Sequence, residues 1–202
     1  MSWRTGASVI SLNIRRSSLP SRDVLDHLAG LYAASDDPWQ HRTSPYEAEK
    51  FKRTLAAIGP GPFAEALEIG CGNGTLARLL APRCRRLVAM DCIPAAIRAA
   101  RTALSDQPQA EVIEGAAPAD LPPLRPDLVL LSEVLYFLQP AEIDQLGQWL
   151  LDRTRGRVIA VNWTGPTDEP LDGPGAVARL SRTLGEGVTS AFHGFRIDVF
   201  GR

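Results

Sequence analysis

The sequence predicts an α/β fold in which a mostly parallel, seven-stranded sheet carries helices on both faces. Short apolar segments alternate with segments of helical periodicity along most of the chain, a pattern typical of repeated βα units. Three glycines at alternate positions separate the first apolar segment from the helix that follows it. The chain ends in two segments typical of an antiparallel hairpin. Together these observations predict a Rossmann-like, doubly wound sheet closed by a C-terminal hairpin.

The N-terminal third is predicted to be helical. We expect residues 1–20 to form a loosely ordered leader, because they lack clear periodicity. A helix is predicted over residues 21–32, with Ser21 as its N-cap. A second helix is predicted to begin at Ser44 and end at the glycines and prolines of 59–62, with Glu47 placed as in a capping box. Residues 21–59 would then form a helical lid on a core of residues 64–202, within a single domain of residues 21–202.

The core segments are assigned by their length and periodicity. Buried strands are predicted where short apolar runs occur, and helices where apolar residues recur at helical spacing. The predicted strands are Ala66–Ile69, Arg86–Met90, Ala110–Ile113, Leu128–Leu131 and Val158–Val161. The predicted helices are Thr75–Leu80, Pro94–Leu104, Ala141–Thr154 and Gly175–Leu184. The hairpin would pair Thr189–Phe192 with Phe195–Phe200 across a turn at His193 and Gly194.

The first βα connection predicts a ligand site. Residues 68–74 read Glu-Ile-Gly-Cys-Gly-Asn-Gly, and glycine lets the backbone approach a ligand closely at the N-terminus of a helix. The spacing of Gly70, Gly72 and Gly74 differs from the G-x-G-x-x-G of dinucleotide sites. Cys71 lies within this loop, and Glu68 is predicted to orient the loop or to meet the ammonium group of an amino-acid ligand. The alternative is a tight βα turn without a ligand.

An acidic residue follows the second predicted strand. Asp91 lies 17 residues after Gly74, where its carboxylate can accept hydrogen bonds from both hydroxyls of a ribose. Cys92 and Ile93 follow it and belong to the same predicted cofactor site. Since NAD sites use the same device, Asp91 indicates adenosine without identifying the cofactor. The alternative is that Asp91 caps the next helix.

Composition and charge exclude several classes of protein. Of the 202 residues, 45% are hydrophobic and 22% are charged, which is typical of a globular domain. The net charge of −1 argues against nucleic acid or an anionic membrane as a partner. No apolar stretch is long enough to span a bilayer, and the three cysteines lack a metal-site or disulfide spacing. We therefore expect a cytoplasmic protein without a metal site; the sequence predicts no oligomeric state.

These motifs resemble those of class I S-adenosyl-L-methionine-dependent methyltransferases over residues 64–202. The resemblance is carried by residues 68–74, Asp91 and the strand end Leu-Leu-Ser-Glu-Val-Leu-Tyr of 130–136. Residues 37–47, from Asp-Pro-Trp to Tyr-Glu, and the segments 133–138 and 162–163 are similar to the nodulation protein S family. That family N-methylates the glucosamine end of a chito-oligosaccharide. The resemblance implies S-adenosyl-L-methionine as cofactor, S-adenosyl-L-homocysteine as product and a small-molecule acceptor, an amine or an amino sugar.

The resemblance also implies cofactor contacts, with one departure from the pattern. Many class I members have an acid after the third strand that holds the adenine amino group, but Ala116 occupies that position here. We expect backbone groups of Ala116 and Ala117 to contact the adenine, with Glu114 or Asp120 as substitutes.

The loop between the two N-terminal helices is predicted to close over the methionine part of the cofactor. Arg42 is expected to pair with the methionine carboxylate. Trp39 or Tyr46 is expected to cover the sulfonium through cation–π attraction. The alternative is that Trp39 and Tyr46 only hold the two helices together.

The acceptor side is assigned to the end of the fourth strand. Ser132, Glu133 and Tyr136 are expected there, and Glu133 or His41 would take the proton of an amine nucleophile. The alternative is that Glu133 only caps backbone groups. Asn162, Trp163 and Asp168, in or near a long loop after the fifth strand, are expected to line the acceptor pocket.

Three other functions remain open at the level of sequence. The first is O-methylation of a hydroxyl or carboxylate, which the cofactor motifs do not distinguish from N-methylation. The second is a non-catalytic protein that binds S-adenosylmethionine. The third is an NAD-linked oxidoreductase, which the glycine spacing disfavours.

Overall fold

A computed structural model describes residues 22–169 and 171–201 and shows one sheet of seven strands within these residues. The strands are β1 (Ala66–Ile69), β2 (Leu87–Asp91), β3 (Ala110–Glu114), β4 (Leu128–Ser132), β5 (Arg157–Trp163), β6 (Val188–Ala191) and β7 (Phe195–Phe200). Their order across the sheet is β3-β2-β1-β4-β5-β7-β6. The first five are parallel, and β7 runs antiparallel to both β5 and β6. This is the predicted fold class, including the C-terminal hairpin.

Six α-helices accompany the sheet in the described part of the chain. They are α1 (Arg22–Ala34), α2 (Pro45–Ile58), α3 (Thr75–Leu80), α4 (Pro94–Ala103), α5 (Pro140–Arg153) and α6 (Gly173–Leu184). Short 3-10 helices cover Ala81–Arg83 and Leu135–Phe137. The predicted bounds of the strands and helices agree with these to within about two residues. The predicted leader and the predicted N-cap at Ser21 lie outside the described residues.

Helix α2 begins and ends for local reasons that the sequence predicts. The Ser44 hydroxyl accepts the backbone N–H of Glu47 at 3.4 Å, and a proline occupies the first turn. Gly59, with φ +90°, ends the helix and donates its N–H to the Leu55 carbonyl. The prediction of a capping box is wrong, however, because the Glu47 carboxylate binds the Lys50 ammonium instead of the N-cap backbone.

The core lies in two layers, one on each face of the sheet. Alternate residues of β4 point to opposite faces, as the period of a strand requires. Leu128 and Leu130 pack with α2, α3 and α4, while Val129 and Leu131 pack with α5 and α6. A strand buried on both faces explains why β4 is uniformly apolar except for its last residue, Ser132.

The two N-terminal helices lie close to the carboxyl ends of the central parallel strands. Helix α1 packs on α4 through a cluster that includes Tyr32, Ile93 and Ala96. Helix α2 contacts β5 and β7. No helix among the described residues is long and apolar enough to cross a lipid bilayer.

Candidate active site

The glycine loop joins β1 to α3 in a conformation that depends on glycine. Gly70, Gly72 and Gly74 have φ values of +78°, +55° and +80°, a region that side chains with a Cβ rarely occupy. The loop is fixed to the neighbouring strand, because the N–H of Gly70 donates to the Met90 carbonyl at 2.8 Å. The predicted strand–loop–helix arrangement is therefore present.

The three glycines meet different surroundings. A Cβ on Gly72 would lie 3.0 Å from the Tyr32 hydroxyl, on the side of the loop that faces the large cavity described below. A Cβ on Gly74 would lie 2.8 Å from the Cα of Ala100, so this glycine allows α3 and α4 to pack closely. Gly74 does not line the cavity, and its contact with the cofactor stays a prediction.

Asp91 connects the end of β2 to the glycine loop. One carboxylate oxygen accepts the N–H of Gly72 at 2.8 Å, and the other accepts the N–H of Ile93 at 2.9 Å. Burial raises the pKa of Asp91, while hydrogen bonds from the backbone of Ile93, Gly72 and Cys92 oppose that change. Ile93, not Asp91, is the N-cap of α4. A ribose contact for Asp91 remains a prediction.

A cavity of about 390 Å3 opens beside the loop, between the carboxyl ends of the strands and the N-terminal helices. It brings together most of the residues that the sequence singles out. These are Trp39, His41, Tyr46, Gly70, Gly72, Asp91, Cys92, Ile93, Ala116, Ala117, Ser132, Glu133, Tyr136 and Trp163. A smaller cavity of about 40 Å3 lies next to it and is lined by Glu68 and Cys71, among others.

Arg42 is the clearest departure from the predicted site. It does not line the cavity; its guanidinium is exposed and pairs with Asp36 at 2.6 Å and with Asp37 at 3.2 Å. Two neighbouring acids therefore hold the Arg42 side chain on the surface. The sequence predicts the methionine carboxylate of the cofactor as its partner instead. Asn162 and Asp168 also lie outside the cavity, Asn162 because it is buried within the sheet and Asp168 because it is exposed.

Asp37 ties the loop between α1 and α2 to the glycine loop. Its carboxylate accepts the backbone N–H of His41 at 2.8 Å, that of Arg42 at 3.0 Å and the side-chain amide of Asn73 at 2.8 Å. Burial acts to raise the pKa of Asp37, but the hydrogen bonds from Arg42 and His41 outweigh it and lower the pKa. The Asp-Pro-Trp segment is thus positioned by a direct hydrogen bond to the glycine loop.

A buried ionic cluster forms the far wall of the cavity. The Lys50 ammonium lies 2.9 Å from a carboxylate oxygen of Glu47 and 2.9 Å from one of Glu133. The second Glu133 oxygen accepts the Tyr136 hydroxyl at 3.0 Å and the backbone N–H of Trp163 at 2.8 Å. Burial alone would lower the pKa of Lys50, but the carboxylates of Glu133 and Glu47 raise it. Lys50 therefore carries its charge and fixes both acids.

Sequence reasoning missed part of this wall. The sequence predicts a cap for Glu47, no role for Lys50 and only a helical position for Tyr32, yet all three line the cavity. The signal was present in α2, where Glu47, Lys50 and Thr54 share the buried face with Phe51 and Ile58. A charged pair three residues apart on an otherwise apolar face indicates an internal ion pair or a site.

Several buried oxygens around the two cavities have no hydrogen-bond partner in the described part of the protein. They are the hydroxyls of Tyr32 and Tyr46 and one carboxylate oxygen each of Glu47 and Glu68. Leaving such a group unsatisfied costs about 1–3 kcal/mol. Burial, with a smaller effect from Asp91, raises the pKa of Glu68 to about 8. These atoms mark where a ligand or solvent would complete the site.

The end of β3 forms a mostly apolar part of the cavity wall. Gly115, Ala116 and Ala117 line it. The Asp120 carboxylate accepts the Ala116 N–H at 3.0 Å, which holds this loop in place. Adenine contacts there remain a prediction. Among the described residues, no group of His, Cys, Asp and Glu side chains is arranged to hold a metal ion.

Comparison with known proteins identifies relatives of this chain. The family model of nodulation protein S (NodS) matches residues 21–147. Nodulation protein S of Sinorhizobium fredii is 32% identical over 114 residues, which cover 56% of this chain and 53% of that protein. The Rhizobium tropici protein of the same name is 33% identical over 106 residues, covering 52% and 44%. The chain thus matches about half the length of these curated relatives.

Solved structures share the fold. A Pseudomonas syringae protein assigned as a methyltransferase has a TM-score of 0.68 at 30% identity, covering 78% of this chain and 99% of its own. The N-methyltransferase NodS from Bradyrhizobium japonicum WM9, in complex with S-adenosyl-L-homocysteine, has a TM-score of 0.74 at 23% identity, covering 89% and 98%. The fold of the present chain is that of class I methyltransferases.

Proposed function

Since the chain belongs to the nodulation protein S family, we propose that it is an S-adenosyl-L-methionine-dependent methyltransferase that acts on a small-molecule amine. The observation that carries this proposal is the cavity at the carboxyl edge of the sheet. One side of it is lined by Gly70, Gly72 and Asp91, and the other side by residues of the N-terminal helices. Ligands of doubly wound sheets bind at this edge, where the order of the strands reverses between β1 and β4.

The residues present fit the cofactor. Because Gly72 has no side chain, a gap remains between the loop backbone and the Tyr32 hydroxyl, which a Cβ would fill. That hydroxyl is buried and lacks a partner in the described structure, so a polar ligand atom can satisfy it. Asp91 would hold the ribose, and Ala116 and Ala117 would flank the adenine. Trp39, which is 39% exposed and stacks on His41, would cover the methionine end.

The charge of the cavity suits positively charged ligands. Among the described residues that line it are three acids, Asp91, Glu47 and Glu133, and one lysine, Lys50. Burial lowers the pKa of His41, the remaining candidate for a positive charge, although Glu47 opposes that effect. An excess of acidic groups in a partly enclosed cavity favours a sulfonium and an ammonium over anionic ligands such as the pyrophosphate of NAD.

The chemistry demands little of the protein beyond alignment. When bound, the cofactor supplies a methyl group on sulfur that is already activated for in-line displacement. The residues of this chain must hold the acceptor nitrogen in line with that group, which is worth about 7–11 kcal/mol of the barrier. Tyr46 and Trp163, with ring centroids 6.3 Å apart, line the cavity and would restrict access of water on the acceptor side. Glu47, in the acidic wall that it forms with Glu133, would receive the amine.

An amine or amino sugar is the acceptor we favour. The acidic wall supports it, because a hydroxyl acceptor has no positive charge for these carboxylates to bind. A related protein is named an N-methyltransferase. O-methylation and non-catalytic binding of the cofactor are the alternatives.

A cytoplasmic location is part of the proposal. It is supported by three cysteines, Cys71, Cys84 and Cys92, which are free thiols in the described structure. Free thiols of this kind are typical of a reducing compartment.

The function can be tested by a labelled-methyl assay. The protein is incubated with S-adenosyl-L-methionine labelled in its methyl group and with matched pairs of acceptors, such as glucosamine and N-acetylglucosamine. We expect label to appear on glucosamine only. Label on hydroxyl acceptors alone would favour O-methylation. Binding of the cofactor without transfer to any acceptor in a broad screen would favour the non-catalytic alternative.

A further inference from the structure

Glu47 is the acid of the ionic cluster that has an oxygen left to offer a ligand. Only 7% of its surface is exposed. Its Oε1 accepts the Lys50 ammonium at 2.9 Å, whereas its Oε2 is buried and has no hydrogen-bond partner within the described residues. Glu47 lines both the large and the small cavity. A carboxylate fixed through one oxygen and free at the other is placed to accept a hydrogen bond from a ligand.

Glu133, the acid that the sequence favours as a base, is committed to the protein. Its Oε1 accepts from Lys50, and its Oε2 accepts from the Tyr136 hydroxyl and the Trp163 backbone. These bonds hold the ends of β4 and β5 together with α2. Glu133 is therefore a positioning residue, which acts by fixing Lys50, Tyr136 and the backbone of Trp163.

The groups that face Glu47 come from four parts of the fold. Lys50 and Tyr46 belong to α2, His41 lies in the preceding loop, Glu133 and Tyr136 follow β4, and Glu68 from β1 lines the same small cavity. The Tyr46 hydroxyl is a second buried oxygen without a partner in the described structure.

We propose that Glu47 is a catalytic residue that binds the ammonium group of the acceptor through Oε2 and removes its proton before methyl transfer. This inference rests on the proposed function, and it assigns the acceptor a primary amine in place of a hydroxyl.

Proton transfer to Glu47 comes before methyl transfer to the nitrogen. The N–H bond of R–NH3+ breaks, and the proton forms an O–H bond with Glu47, leaving R–NH2 with a free electron pair. That pair forms the N–CH3 bond as the C–S bond breaks, and the electrons of the broken bond stay on sulfur. The products are R–NH2–CH3+, the neutral thioether and protonated Glu47.

His41 provides the onward path for the proton. Its Nε2 lies 3.8 Å from Glu47 Oε2, close enough for direct transfer after a small movement. About a fifth of its side chain, 21%, reaches solvent. Burial lowers the pKa of His41, which favours the neutral ring, the form that can accept a proton.

The test compares E47Q with wild type and with E49Q, an exposed glutamate of the same helix that pairs with Arg53. Binding of glucosamine to protein saturated with S-adenosyl-L-homocysteine is measured by calorimetry, and turnover is measured across pH. We expect E47Q to bind S-adenosyl-L-homocysteine normally but glucosamine at least tenfold more weakly. Turnover should fall at least about 100-fold at neutral pH, the lower end of what a general base contributes. E49Q should match wild type.

The pH profile separates catalysis from scaffolding. Without the base, the turnover of E47Q should rise toward that of wild type as pH rises, because the free amine then becomes abundant in solution. A structural role would lower turnover equally at every pH. If E47Q does not fold, E47D keeps the charge and should reduce turnover without changing the shape of the pH profile.

Different results would overturn the role of Glu47 and the proposed function. Wild-type affinity for glucosamine and wild-type turnover in E47Q, or in E47D, would overturn the role of Glu47. The absence of glucosamine binding to wild-type protein that binds S-adenosyl-L-homocysteine would overturn the amine assignment. Lack of S-adenosyl-L-homocysteine binding by wild type would overturn the proposed function itself.

Discussion

Asp91 has two roles in this site: it fixes the loop backbone, and it is expected to bind the ribose. Its carboxylate already holds the backbone of Gly72 and Ile93, and it lines the cavity where a ribose is expected. We expect Asp91→Ala to weaken binding of S-adenosyl-L-homocysteine by about 1.5–3 kcal/mol, the value of a hydrogen bond to a charged group. Calorimetry measures the change, with the exposed Asp152→Ala as control. Unchanged affinity would remove Asp91 from the site.

Gly72 is the position where a side chain should do most harm to binding. A Cβ there would lie 3.0 Å from the Tyr32 hydroxyl, and φ is +55°, a conformation that costs other residues about 1–3 kcal/mol. We expect Gly72→Val to lower affinity for S-adenosyl-L-homocysteine at least tenfold. Gly30→Ala in α1 is the control, since nothing lies within 4 Å of its added Cβ. Normal binding by Gly72→Val would mean that the loop is only a turn.

Glu68 predicts a dependence of stability on pH. Its pKa is about 8 in the folded protein, against an ordinary value of 4.5. Below pH 4.5 the carboxyl is protonated in both states, so folding loses nothing. Between pH 4.5 and 8 the unfolded chain releases the proton while the native state retains it, and stability falls with rising pH. The loss is on the order of a few kcal/mol by pH 8.

Glu68→Gln removes this loss and isolates its size. We expect the melting temperature of the variant to equal that of wild type near pH 4.5 and to exceed it increasingly toward pH 8. Thermal unfolding followed by circular dichroism at several pH values measures the gap, with Glu49→Gln as an exposed control. A gap that stays constant across this range would show that Glu68 is ionised in the native state.

At the scale of elements, the segment from α1 to α2 determines whether the site can close. Trp39 contacts Tyr32 edge-on and stacks on His41, but Asp37 also bonds to Asn73 of the glycine loop. If the segment is a lid, hydrogen exchange over residues 31–50 should slow when S-adenosyl-L-homocysteine is added, because its contacts depend partly on the ligand. Helix α5, which lies away from the cavity, is the internal control.

Trp39→Ala distinguishes a lid from permanent scaffold. A lid predicts lower turnover through poorer exclusion of water, with little change in melting temperature. Equal exchange rates with and without ligand, together with a large drop in melting temperature for Trp39→Ala, would show that the segment is scaffold.

The same segment shows how far local sequence patterns reach. The start of α2 was predictable because Ser44 and its following proline act within one turn. The pairing of Arg42 was not predictable, because it depends on where the chain places Asp36 and Asp37. The link between Lys50 and Glu133 joins residues 83 positions apart. No local pattern encodes such a pair, so the link from the charged pair of α2 to Glu133 became visible only in the structure.

At the scale of the whole molecule, strand order explains why distant motifs form one site. Parallel pairing of β1 with both β2 and β4 brings the glycine loop, Asp91 and Glu133 to a single edge of the sheet. Alternation of apolar and helical segments predicted the fold class, since such units have few stable arrangements. The acceptor side was harder to predict, because its walls come from α2 and from loops whose positions depend on packing.

The central claim is that this edge binds S-adenosylmethionine and not a dinucleotide. The most direct test is a pair of calorimetric titrations of the full chain, one with S-adenosyl-L-homocysteine and one with NAD. We predict saturable binding of one S-adenosyl-L-homocysteine per chain and no detectable binding of NAD. Binding of NAD, or no binding of S-adenosyl-L-homocysteine by the folded protein, would contradict the account.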